Sequence, residues 1–223
     1  MAQAIGAVLA FAVGVGISPI PIIAVIAMLF SNRARVNGPA FLVGWVVGLS
    51  VVVTVTYLVA DRLDVGTSDS ATDGVSWLKL GLGLLLVSAA GRKWRNRPRP
   101  DAEVPMPTWM AKVDHLGPGA ALGLGALLAA NPKNLMLALA AGTTLAQVAP
   151  TTAEAVVGLA AFVVIGSSIV AVAVIYDLVG GEKARARLDD ARSWLILHNN
   201  AVMAVLFLVF GAVLVAEGLG LRR

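Results

Sequence analysis

No charged side chain precedes Arg33, yet the run before it contains Pro19 and Pro21 within "GISPIPIIAVIAMLF". An apolar segment of that length reads as a membrane-spanning helix, because a bilayer core of about 30 Å needs about 20 apolar residues. Proline removes a backbone donor and its ring clashes with the preceding turn. Each proline therefore frees carbonyls that lipid cannot satisfy. A break after Ser18 is expected to face protein or a water-filled site.

The rest of the composition agrees with a membrane chain. Of 223 residues, 58% are hydrophobic and 13% are charged, and a soluble domain would carry roughly twice that charged fraction. Mean hydropathy is +0.85. The runs are continuously apolar rather than alternating, which excludes a transmembrane barrel. The expected fold class is an all-α polytopic membrane protein. Cysteine is absent, so disulfides, thiolate metal sites and thiol redox chemistry are excluded. The first run has no basic residue before it and is too long for a signal-peptide core, so it is expected to be the first helix of the mature protein. The net charge of +4 comes from basic residues beside the apolar runs, which points to topology rather than to nucleic acid.

Six runs qualify as spans: residues 4–30, 36–60, 75–91, 116–146, 153–178 and 197–217. The second carries Gly44 and Gly48 four apart, a small-residue face for close helix packing. Lys79, near the start of the third, lies within snorkelling reach of the interface. Arg33 and Arg35 follow the first run. Arg92, Lys93, Arg95, Arg97, Arg99 and Lys112 follow the third, and Lys183, Arg185, Arg187 and Arg192 follow the fifth. These twelve basic residues share one side, whereas the loop with Arg62 also holds Asp61, Asp64, Asp69 and Asp73. The positive-inside rule then places both termini outside the cytoplasmic membrane. Trp77, Trp94, Trp109 and Trp194 fall near span ends, as an interfacial aromatic belt would.

Pro98, Pro100, Pro105 and Pro107 make residues 97–112 a basic, extended cytoplasmic linker, whose cations could also meet anionic lipid. It divides the chain into a first repeat, 1–96, and a second, 113–223. Residues 182–195 set Ala184, Leu188, Ala191 and Leu195 opposite Arg185, Asp189 and Arg192, the pattern of an amphipathic interfacial helix. Each half opens with a long helix broken by proline in the same place, "ISPIP" and "AANPKN". Three helices per half imply an inverted repeat, with helices one and four broken, and matching breaks point to a midplane transport site.

The candidate site is therefore Ser18, Pro19, Pro21, Asn131, Pro132, Lys133 and Asn134. Ser18 and Asn131 sit just before their prolines and could cap the freed backbone, contact a ligand, or both. Lys133 lies deep in an apolar stretch, where a charge costs at least about 2.5 to 3.5 kcal/mol and needs a partner, a water cavity or a shifted pKa. The acidic residues near spans, Asp61, Glu154, Asp177 and Glu217, all fall close to helix ends. A backbone carbonyl is the structural alternative; a substrate headgroup or proton coupling is the functional one. Asp177 is a candidate for gating or coupling, or a plain helix-end charge. His198, Asn199 and Asn200 enter the sixth run as interfacial residues.

Enzymatic readings find little support. There is no HExxH, no paired histidine for a metal, and His115 and His198 are the two histidines. Ser18 and Ser167 lack a histidine at matching depth for nucleophilic catalysis, and no nucleotide motif is present. The expectation is a non-enzyme with no catalytic residues, no metal and no cofactor; proton coupling is admitted, with the coupling ion left open.

"SPIP" followed by "NGPAFLVGWVVG", and "NPKN" at 131–134, resemble the motifs of the lysine-exporter (LysE) superfamily. Within it, the whole chain is most similar to the GAP/Sap group of actinobacterial glycolipid-addressing proteins. The resemblance implies a six-helix inverted-repeat exporter of a (glyco)lipid or lipid-linked amphiphile, with the proline motifs at its centre. Ile20 stands where the amino-acid exporters have glycine, which narrows the backbone approach and argues against an amino-acid substrate. The competing readings are a non-transporting scaffold of a cell-envelope lipid-export machine and an amino-acid or small-solute exporter. Membrane lipids are the expected partners, with lipid-export or lipid-synthesis proteins and a homodimer also admitted, and no nucleic acid.

Overall fold

The computed structural model describes residues 1–62, 77–98 and 116–220. The acidic loop and most of the proline-rich linker lie outside the described residues. Those described form seven helices and no strand: α1 (Ala2–Gly16), α2 (Pro19–Leu29), α3 (Ala34–Arg62), α4 (Trp77–Arg95), α5 (Pro118–Ala129), α6 (Pro132–Val148) and α7 (Thr152–Gly218). Of these, α3 and α7 are long and apolar enough to cross a membrane, and α1 with α2 and α5 with α6 are bent pairs with the length and apolarity of a broken span or a re-entrant loop.

Proline chemistry sets both bends. Pro19 cannot donate to the carbonyl of Val15, so α1 stops at Gly16 and Ser18 takes the extended backbone (φ −65°, ψ 119°) that a following proline favours. Pro19 then opens α2, where a missing N–H costs nothing. Asn131 (φ −66°, ψ 155°) and Pro132 repeat this between α5 and α6. The bends are 53° and 58°.

The fifth and sixth runs are two helical stretches of α7 that meet without a loop at Gly181 (φ 60°, ψ −148°), a backbone region essentially restricted to glycine. Arg185 reaches Asp177, and Arg187 reaches Tyr176, across this break. In a straight helix these pairs would stand about 12 and 16 Å apart along the axis, so the chain folds back there. Residues 182–195 do not form a separate helix, because the second stretch runs on to Gly218 without glycine or proline in its first 29 positions. Ala184 and Leu188 are buried, Leu195 is half-buried, and Ala191 faces outward.

Helix α5 lies along α3 and α1 along α7, while α6 packs on α1 and α3, and α4 on α7. Phe11, Phe41, Trp45, Leu49, Leu137 and Phe162 form the fully buried centre. The outer surface is also apolar. Val43, Val47, Val51 and Val55 line one face of α3 and are each more than half exposed, a stripe that water would penalise and lipid would not.

The opposite face of α3 carries the buried Phe41, Trp45, Leu49 and Val53, and the glycines lie on the flank between the two stripes. The Gly44 backbone meets the Leu122 carbonyl, and a Cβ on Gly48 would lie 2.8 Å from the Ala129 methyl. A second close approach joins α1 to α7. Gly16, at the end of α1, approaches Ile165 and Gly166 on α7 so closely that a Cβ would stand 3.1 Å from the Ile165 carbonyl. The end of α5 thus packs against α3, and the end of α1 against α7.

Candidate functional site

The two breaks meet. Ser18 donates its hydroxyl to Asn134 Oδ1 at 3.4 Å, joining the start of α2 to the first turn of α6. Lys133 Nζ donates to the carbonyl of Gly14 at 2.6 Å, joining α6 to the last turn of α1. Ser18, Lys133 and Asn134 are buried, with 3%, 6% and 0% of their surfaces exposed.

The freed backbone of α1 explains the lysine's partner. Ser18 N–H donates to Val15 in the tight i−3 geometry, and Gly14, one turn from the break, offers its carbonyl to Lys133. Helix C-terminal carbonyls carry about half a negative charge, so the ammonium sits at the negative end of α1. A Cβ at Gly14 would strike the tip of the Phe210 ring and lie 3.1 Å from Leu137, so any side chain there would force the ring to shift. The structural alternative weighed from sequence, a backbone carbonyl, is therefore met. Sequence reasoning did not find Gly14, since the only signal was a glycine in an apolar run.

Ser18 and Asn131 occupy equivalent positions but act differently. Asn131 caps α6, with Oδ1 accepting from Asn134 N–H at 3.0 Å and Nδ2 donating to Leu128 at 2.7 Å. Ser18 makes no cap bond at α2. Its hydroxyl crosses to the other half instead. Asn134 adds a bond to the same Leu128 carbonyl at 3.3 Å. Pro19 and Pro21 are buried whereas Pro132 is exposed. Ile20 is 39% exposed and turned outward, so it does not narrow the approach at the break, and the sequence argument against an amino-acid substrate loses its basis.

Asp177 lies at the fold-back of α7. Its carboxylate is 3% exposed and accepts from Arg185 Nε at 3.1 Å. Together with Arg35, Gly181 and Glu182 the two residues line a pocket of 580 Å³. A further buried polar group, Asn37, was not singled out from sequence. Its Nδ2 donates to Ser31 Oγ at 3.1 Å and to the Leu116 carbonyl at 3.0 Å, tying the turn before α3 to the start of α5. Among the described residues no group of three metal-ligating side chains is present. His198 stacks on Trp194 at 4.6 Å, on the exposed side of α7.

The sequence model of one family, described as Sap, sulfolipid-1-addressing protein, matches residues 8–220. No curated protein and no solved structure matches the chain.

Proposed function

The chain belongs to the Sap, sulfolipid-1-addressing protein family, and from that membership we propose that it exports an amphiphilic glycolipid or lipid-linked substrate across the cytoplasmic membrane. The family ties the chain to a membrane and to the addressing of a sulfolipid. One observation supports an active carrier: both helix breaks converge, with Ser18 on Asn134 and Lys133 on the Gly14 carbonyl. Broken helices that face each other supply backbone donors and carbonyls for a polar or ionic group in the bilayer midplane.

In this reading the two bent pairs, α3, α4 and the two stretches of α7 are six spans in two inverted repeats. A rotation exchanging the halves would carry Gly16 on Gly166 into Ala129 on Gly48, and that reciprocity supports the repeat. The SPIP and NPKN motifs extend the same reading to the lysine-exporter superfamily. Lys133 holds the Gly14 carbonyl between substrates and exchanges it for an anionic headgroup, which attracts an ammonium more than a partial charge does. Proton coupling would act at that same ammonium. The chain needs no cofactor and no catalytic residue for this work.

The accessory-scaffold reading is favoured by the same contact, because the Gly14 carbonyl gives Lys133 a structural reason to be there. Export in a deletion strain, scored with the amount of inserted protein, separates the two. Lys133→Met should abolish export while protein remains in the membrane, and Lys133→Arg should be impaired because a planar guanidinium does not fit a point-charge site. Ser18→Ala should reduce export with little loss of protein, since its bond is long. Wild-type export by Lys133→Met, or loss only in proportion to lost protein, would leave the scaffold reading.

A further inference from the structure

We infer that the groove between the end of α4 and the second stretch of α7 holds one anionic membrane lipid, at a site separate from the helix breaks. This does not rest on the transport reading. Arg92, Lys93, Asn96, Asn200, Ala89 and Phe207 line a pocket of 280 Å³, and among these described residues there are two cations, two amides and no acid.

The register of the two helices grades this groove from polar to apolar. They run antiparallel, with Lys93 beside Asn200 at one end and Gly83 close against Gly211 and Val215 further in. Lys93 Nζ donates to Asn200 Oδ1 at 3.4 Å, and an ammonium has two more protons to give. Asn200 Nδ2 donates to the Asn96 carbonyl at 2.8 Å, covering one of the terminal carbonyls of α4 that would repel an anion.

Below this mouth, Ala89 and Phe207 form an apolar floor. Leu85, one turn deeper on the Ala89 face, is 48% exposed, and Leu208 is 54% exposed. A free phosphate could use only the mouth, whereas a lipid uses the mouth and the apolar track together. Trp94 and Trp194, each about half exposed, flank the region as interfacial tryptophans do at headgroup depth. Arg97 lies over the Trp94 ring at 4.0 Å, so that cation already has a partner. The plainer account, that basic residues in the last turn of α4 offset its dipole, covers Arg92, Lys93 and Arg95 equally and predicts no preference among them.

The full chain in detergent, mixed with phosphatidylglycerol and phosphatidylcholine and weighed intact by native mass spectrometry, tests the site. Wild-type protein should retain one phosphatidylglycerol in preference to phosphatidylcholine. Arg92→Gln with Lys93→Gln should weaken that retention on the order of tenfold or more, at an unchanged lipid-free melting temperature. Phe207→Ala, which leaves both cations, should weaken it too. Arg95→Gln with Arg97→Gln should retain the lipid as wild type does. Equal retention by the first pair, or equal loss in the second, would overturn the site. Displacement of the lipid by millimolar inorganic phosphate would show that the mouth alone binds, and would overturn the lipid assignment.

Discussion

At residue scale, the two positions before the prolines show how similar local sequences divide their labour. Asn131 has an acceptor and a donor on one short side chain, so it can cap Asn134 N–H and hold the Leu128 carbonyl at once. Ser18 has one hydroxyl and spends it across the interface on Asn134. Asn131→Ala should therefore destabilise the protein by about 0.5 to 2 kcal/mol, the range for a lost N-cap, whereas Ser18→Ala should cost less, about 0.5 kcal/mol at most, because a long hydrogen bond contributes little. Reversible unfolding in mixed micelles measures both, and equal losses would contradict the division. Lys133 was legible in the sequence as an anomalous charge in an apolar run. Its partner was not, because a carbonyl has no sequence signature. Gly14 becomes an acceptor only once α1 ends where it does and α6 lies beside it.

Among the helices, the proline breaks were readable because proline acts locally: the missing N–H and the ring fix where α1 and α5 end. The join of 182–195 with the last apolar run was hidden. Charged and apolar stretches differ in solvent preference, and composition separated them, yet nothing between residues 182 and 210 interrupts helical geometry. Gly181 was the real punctuation, and its conformation depends on the fold-back that Asp177 and Arg185 hold. Gly44 and Gly48 were legible as a packing face by spacing, though not the helix that fills it. Gly48→Leu would drive a side chain into Ala126 and Ala129. It should cost at least about 1 to 3 kcal/mol, as overpacking does, and separate α5 from α3. Crosslinking between cysteines placed on those two helices would fall, and an undiminished yield would show that the contact is not as tight as described.

For the whole molecule, charge along the chain predicts orientation more directly than contacts do. The turn into α3, the end of α4 and the α7 fold-back carry most of the Lys and Arg, so they should face the cytoplasm and both termini should lie outside. A chain without native cysteine permits a clean check. A single cysteine at Arg97 should resist an impermeant reagent in intact cells and react after lysis. Reaction from outside would reverse the orientation. The reciprocal seating of α1 on α7 and of α5 on α3 also bears on biosynthesis. The ribosome delivers Gly16, Gly44 and Gly48 before any of the residues that cover them. Until α5 and α7 follow, the glycines of α1 and α3 have nothing of this chain to pack on, so the helices made first should have no finished interior of their own. The chain would then mature as a clasp, its earlier part held open for the later part to close.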